Sequence, residues 1–516
     1  MSILLILLLF VSCSQSDGLG YTFKTDISDN PKNLDPQLAT DIYSKNIIKN
    51  TFRGLLKLTE TGAAVPDCAE SFEMSPDSLV YTFTLFPDIY WMSQSGYEAN
   101  LTAYDFEYAF KRIFDTSNAS PYADELICIK NAAEIIQGIK SPDELAVKAL
   151  SDTVLEITLE YPYWNFTELL TETYTMPCNE TFFKSTKGRY GLHFETTCSN
   201  GYFYISDWNY DPYWNNNYLT LIKNPLNVTN SPVAPYSVKY NIRDVNESIA
   251  LEAGESDLYI ADNYNEKLFS RATYKQFQTK TYGISANEAS VDEGIFKQIY
   301  NAVLACDLGE LPTQLQRGYG IIPPAVTLTG KSFREMSGDN VFYNSALKNI
   351  TELTDEEKQQ NAEAAGDIRL TVSDDFPAVN KLYDLADYLL KNLGITIFIE
   401  SVSKAEYDLI VAENRYDLLM TELSPAENSP ESFFEVFALN GRSSAIAEGM
   451  VEAAFKASTL GEAVKLYSQA ETAILQNAWF IPLCYGCEYL VYDRSLDGII
   501  FIPFSDEIIF KDVKRF

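Results

Sequence analysis

The run NLDPQLATD (33–41) opens the stretch that decides the fold, and that stretch continues to Phe114. Asp35 and Pro36 punctuate its first loop. In SKNIIKNTFRGLLKL (44–58), Ile47, Ile48, Phe52 and Leu55 recur at helical spacing behind Ser44, a residue type that caps helices. The chain then reads VPDCAESFEMS (65–75) and SLVYTFTLFPDIYW (78–91). Leu79, Tyr81, Phe83 and Leu85 alternate with Val80, Thr82 and Thr84, which predicts a strand with one heavily apolar face. LTAYDFEYAFKRIFD (101–115) closes the stretch, with Thr102 and Asp105 at capping-box spacing ahead of an aromatic-rich helix.

Taken in order, these segments resemble the large extracytoplasmic solute-binding proteins of ABC transporters, the oligopeptide/dipeptide-binding family (family 5). That family reads LDP, a helix leading to GL, VP…AES(W/F)E, a YTF strand, a W and a DF.YA(F/W)KR helix. All of these occur here, at sensible spacing. The resemblance implies an α/β, two-lobed periplasmic-binding-protein-like fold (type II, cluster C) with an extra small α+β domain. It also implies a monomeric, non-catalytic protein that closes on an oligopeptide by a hinge and hands it to ABC permease subunits.

At 516 residues the chain is long enough for two or three domains with substantial cores. Hydrophobic residues at 46% and charged residues at 22% describe an ordinary globular protein. The 34 Tyr and 30 Phe serve mostly as packing, and some suit a ligand cleft. A net charge of −33, from 39 basic against 72 acidic residues, repels phosphate backbones and excludes a nucleic-acid partner. A secreted hydrolase finds no support, because there is no GxSxG and no HExxH. His193, the single histidine, lies in GRYGLHFETT and reads as a loop residue, so neither a catalytic base nor a metal or cofactor is expected.

The apolar run 3–11 is too short to span a bilayer and fits a signal-peptide core. FVSC (10–13) followed by SQSDG (14–18) resembles the lipobox of bacterial lipoproteins, which implies Cys13 as the lipidated residue anchoring the chain outside the cytoplasm. No Lys or Arg precedes the run, and a plain secretory signal with an incidental Cys13 is the other reading. Of eight cysteines, seven remain beyond Cys13, so at least one stays unpaired in a monomer. Cys484 and Cys487 form a CxxC, but within an apolar strand pattern rather than a redox turn. Pairing of Cys178 with Cys198 is left open.

Beyond the opening stretch, ASPYA (119–123) matches a run of the peptide-binding branch. Tyr122 is therefore either a ligand-facing residue or a turn aromatic. AVKALSDTVLEITLEYP (146–162) predicts a strand pair around Ser151 and Asp152. SNGYFYISDW (199–208) carries the family's NG…W pattern, with Gly201 permitting close backbone approach. DIRLTVSDDF, AVNKLYDLADYLLKNLG and ITIFIE (367–400) read strand, helix, strand, with Gly394 at the helix end. The resulting division is 1–18 signal and tether, 19–58 main lobe, 59–178 extra domain, 179–268 main lobe, 269–477 second lobe, and 478–516 return to the main lobe.

In this architecture ligands sit at the carboxyl ends of strands, between lobes that close by a hinge. The strand at 416–420 should feed TELSPAENSP (421–430) into the cleft. In peptide binders that loop pairs with an extended peptide and carries an Asp for its α-amine. Aligned on Pro430 that position is Ala426, with Glu427 adjacent and Glu422 at the strand end. Either Glu427 grips the ammonium or the loop is a solvated turn. The resemblance implies Asn30, Tyr122, Asn263, Tyr282, Glu422, Leu423, Ser424, Ala426 and Glu427 as the ligand-facing set. The cleft cysteine pair of some relatives is replaced by Ile284 and Ser424. An oligosaccharide ligand, or a surface adhesion or chaperone-like role on the same scaffold, are the alternatives.

Overall fold

The computed structural model describes residues 20–213, 216–226, 233–244, 247–338, 352–425, 427–439, 445–477, 479–504 and 507–516. Its first helix is Ile42–Thr51, shifted from the expected span and capped by Asp41, whose carboxylate accepts from the Ser44 amide. Ser44 is buried inside the first turn, where its hydroxyl accepts from the Lys32 and Asn33 amides. The helix stops where the Gly201 amide takes the Thr51 carbonyl at 2.8 Å. A Cβ on Gly201 would lie 2.4 Å from that carbonyl, so the close approach expected of this glycine is real. Leu56–Leu58 is consequently a short strand against Ala64–Pro66, not a last helical turn.

Val80–Leu85 forms the predicted strand and buries Tyr81, Phe83 and Leu85. It lies between Ala69–Met74 and Val154–Thr158, and Val147–Ser151 completes an antiparallel sheet. Trp91 belongs to a separate hairpin, Tyr90–Ser93 with Gly96–Asn100. Helix Ala103–Phe114 packs beside this sheet. The Asp105 carboxylate reaches back to the Thr102 amide at 2.8 Å, as the capping-box spacing predicts, and accepts from Trp91 Nε1 at 3.2 Å. Burial pushes the Asp105 carboxyl up to about 6.

The sequence motifs meet one another through buried charges. Asp35 of LDP pairs with Arg112 of the KR helix, and both are almost completely buried. Gln37 accepts from Arg112 at 2.7 Å and donates to the Met176 carbonyl at 2.8 Å. Asp67 of VPD holds Arg53 Nε at 2.9 Å and the Tyr202 hydroxyl at 2.9 Å. Burial alone would raise the Asp67 carboxyl, but Arg53, Lys57 and Tyr202 hold it below the usual range.

A second four-stranded sheet runs Thr22–Ile27, Ser237–Ile242, Asn217–Lys223 and Phe203–Asn209, its first pair parallel. These layers share one continuous core that includes Phe23, Phe52, Phe83, Phe110 and Phe203. Another core forms around Ile368–Ser373, helix Val379–Leu393 and Ile397–Val402, the predicted strand–helix–strand, with the two strands parallel. Gly394 ends that helix at φ 75°. Helices Pro430–Leu439, Ala445–Phe455 and Leu460–Asn477 surround a third core with Phe333, Phe433 and Tyr467.

Two long antiparallel strands, Thr273–Ala286 and Phe480–Tyr492, connect these cores. Tyr489 and Val491 pack with Tyr259 and Phe269, whereas Ile481, Leu483 and Cys484 pack with Ile368 and Leu370. The CxxC lies within the second of these strands, as its apolar pattern predicts. All seven described cysteines are free and buried, including Cys178 and Cys198.

Removing the partner of a buried charge costs about 3–5 kcal/mol. Arg112→Ala should therefore lower urea-unfolding stability by roughly that amount, whereas exposed Lys404→Ala should change it by less than about 1 kcal/mol.

Candidate functional site

Two strand ends meet the middle of the long strand Thr273–Ala286. Leu258–Ala261 delivers Asp262 and Asn263, Thr273–Ala286 contributes Lys280 and Tyr282, and Leu418–Leu423 contributes Glu422 and leads into Ser424. Tyr282 and Glu422 face each other directly in the antiparallel ladder. Burial, and then the Glu422 carboxylate beside it, push the Tyr282 hydroxyl well above its ordinary range. The Tyr282 ring meets Phe376 edge-on at 5.1 Å. Lys280 Nζ lies 2.7 Å from Asp262 and 3.7 Å from Glu422.

The other residues singled out in the sequence take varied positions. Leu423 is 1% exposed and packs into the core with Phe433 and Phe480, so its side chain anchors the strand end. Ser424 and Glu427 are exposed, and Ala426 lies outside the described residues. The loop is stapled from behind: Asn428 Oδ1 accepts from the Thr327 amide at 3.0 Å, and the Ser432 hydroxyl donates to the Glu427 carbonyl at 3.0 Å. Asn263 is exposed and lines an open depression of about 870 Å³ with Ser248, Tyr259 and Lys267. Asn30 is half-buried and accepts from Trp208 Nε1 at 2.9 Å, which joins the first loop to the NG…W motif.

Tyr122 is 9% exposed, donates its hydroxyl to the Ala39 carbonyl and stacks on Tyr174 at 4.4 Å. Close by, Glu125 senses the opposing loop. Burial first, and then the charges of Glu427, Glu172 and Asp124, push its carboxyl upward. The structure thus brings Tyr282, Glu422 and the Asn263 turn to one place, and sets Glu427 towards the segment after Tyr122. Sequence reading passed over Asp262, Lys280 and Glu125. A signal for Lys280 existed, since its two-residue offset from Tyr282 puts both on one face of a strand.

His193 is half-exposed in a loop with Glu195 3.7 Å away. Among the described residues no group of three or more His, Cys, Asp or Glu is arranged to hold a metal ion, and no helix is long and apolar enough to cross a membrane.

Separate cores joined by two through-going strands make a mixed α/β, two-lobed fold of the periplasmic-binding-protein type. Residues 63–300 match the family described as bacterial extracellular solute-binding proteins, family 5 middle, and the resemblance read from the sequence holds. The chain is 35% identical over 212 residues to the oligopeptide-binding protein OppA of Bacillus subtilis (strain 168), a match spanning 39% of this chain and 38% of that protein. It is 24% identical over 537 residues to the dipeptide-binding protein of Lactococcus lactis subsp. cremoris (strain MG1363), covering 96% of this chain and 94% of the relative. The crystal structure of the substrate-binding domain of an oligopeptide ABC transporter from Bacillus anthracis str. Ames superposes with a TM-score of 0.61 at 21% identity, covering 96% and 98% of the two chains. The family and these neighbours are solute-binding proteins, not enzymes.

Glu431, just past the loop, has a predictable pH signature. Burial first, then the charges of Glu435 and Glu427, push its carboxyl up to about 7. The folded state therefore holds this proton more tightly than the unfolded chain. The resulting stability is complete below the unfolded value and is lost as pH rises through about 7. Glu431→Gln should abolish a fall in stability on the order of 2 kcal/mol between about pH 4.5 and 7, read from denaturant titrations at each pH.

Proposed function

We propose that this chain is the extracytoplasmic substrate-binding protein of an ABC importer. It captures short peptides in the cleft between its lobes, closes on them by a hinge and delivers them to the permease. The observation that carries this reading is the meeting of two strand ends, after Ala261 and Leu423, with the middle of the long strand that joins the cores. There the chain leaves the sheet after Leu423 with Ser424 exposed, and this segment would pair with an extended ligand. The names of the relatives, oligopeptide- and dipeptide-binding proteins, support the peptide class.

In this proposal 19–58, 179–268 and 478–516 make the main lobe, 59–178 the extra domain and 269–477 the second lobe. Asn30, Asn263, Tyr282 and Ser424 line the cleft, and Ala426, of the same set, lies outside the described residues. Glu427 holds the peptide ammonium, because a carboxylate that the bound ligand withdraws from water favours a cation over an unpaired charge. Tyr122 supports the wall rather than touching ligand through its hydroxyl, which is already committed to Ala39. The chain acts as a monomer tethered through a lipid on Cys13, a residue outside the described part of the structure.

Native mass spectrometry of the soluble form, with a mixed tri- to hexapeptide pool, tests the class. Added mass matching short peptides is expected, and Glu427→Ala should weaken loading about tenfold or more if that carboxylate holds the ammonium. Loading by oligosaccharides and not by peptides would overturn the peptide assignment. For the anchor, detergent phase partitioning after expression in a bacterial host should move the protein from the detergent to the aqueous phase on Cys13→Ala. Unchanged partitioning would remove the lipid.

A further inference from the structure

Lys280 is the one cation among the described residues that pairs with acids from both sides of the crossing. Asp262 leaves the strand Leu258–Ala261, which pairs with the far end of Phe480–Tyr492. Glu422 is the last residue but one of the strand Leu418–Leu423, which is parallel to Ile368–Ser373 in the second lobe. The Lys280 ammonium sits between them at 2.7 and 3.7 Å.

The local backbone is shaped for this. A bulge between Gln278 and Lys280 breaks the ladder with Phe480–Tyr492 and re-aims the side chain. Opposite stands Gly486, where any Cβ would lie 2.5 Å from the Tyr282 ring and 3.4 Å from Lys280 Cβ. A residue without a side chain thereby opens the space in which Tyr282 and Lys280 lie together. Burial works against the charge on Lys280, but Asp262, Glu422 and Glu488 outweigh it and keep the ammonium protonated.

The arrangement has the chemistry of an ammonium receptor with its own ammonium already seated. Two carboxylates flank one cation, and both, Asp262 at 68% and Glu422 at 43% exposure, face solvent while Lys280 is 14% exposed. We propose that Lys280 is a specificity-determining residue of the cleft floor: it occupies a cradle formed by Asp262 and Glu422 and denies that cradle to cationic side chains of the ligand. The inference rests on the peptide reading for the identity of that ligand, while the cradle itself does not.

The test therefore uses one probe that is not a peptide. Isothermal titration calorimetry with the alkyl diamine cadaverine compares the wild-type protein, Lys280→Met, and Lys280→Met combined with Glu422→Gln. Lys280→Met should bind the diamine about fivefold or more tightly than wild type, and adding Glu422→Gln should abolish the gain. Trialanine and trilysine are then titrated into the same proteins. Lys280→Met should raise the affinity for trilysine relative to trialanine by about fivefold or more. Glu422→Gln alone, which leaves Lys280 with less counter-charge, should lower the same ratio. If Lys280→Met fails to fold, the Glu422→Gln titration decides.

Unchanged diamine affinity in Lys280→Met and an unchanged peptide ratio in Glu422→Gln would overturn the proposal. Peptides binding with an unmoved ratio would overturn the cradle and leave the peptide reading intact. The expected diamine gain with no peptide bound to any variant would support the cradle and remove the peptide reading.

Discussion

The buried ion pair between Asp35 and Arg112 is the constraint on which the first lobe depends. Their side chains are 1% and 3% exposed, so neither charge has water to fall back on. The guanidinium is also 4.1 Å from the Phe183 ring centroid and donates to Gln37 and to Cys178 Sγ. Through Gln37 the same group reaches the backbone of Tyr174 and Met176. One pair thus fixes the first loop, the Ala103–Phe114 helix and the segment returning from the small sheet. Apolar burial drives these layers together without prescribing their register, whereas a charge that must find its partner does prescribe it.

The same device recurs in the second lobe. Glu471, on helix Leu460–Asn477, is 1% exposed in its side chain and pairs with Arg334. Its carboxylate also takes the amides of Ile321 and Ile322, at 2.6 and 3.2 Å. The loop 319–324 is thereby held against the helical core. The strands Thr273–Ala286 and Phe480–Tyr492 run from one core to the next as a ladder interrupted by two bulges. Lys280 and Tyr282 stand on the first of these strands.

Much of this was legible in local pattern. Alternation in 78–91 marked the strand Val80–Leu85, and Leu382, Leu385 and Leu389 marked the buried face of Val379–Leu393. Capping-box spacing at Thr102 and Asp105 corresponded to a real contact. The helix after LDP was misplaced because Asp41, not Ser44, satisfies the first amides, while the Ser44 hydroxyl is used by Lys32 and Asn33. Its end was overrun because the Thr51 carbonyl meets Gly201, a partner far along the chain that no helical periodicity announces.

By itself, the sequence determined the order of elements, their periodicities and the set of motifs that mark the family, since each depends on neighbours within a few residues. Only the tertiary structure decided how those motifs serve one another. Asp35 meets Arg112 across 77 positions, Tyr202 meets Asp67 across 135, and Lys280 meets Asp262 and Glu422 from opposite sides of the crossing. An acidic chain offers many carboxylates to every cation, and periodicity ranks none of them. The choice is made by burial and by convergence of strand ends, which exist only after the chain has closed on itself.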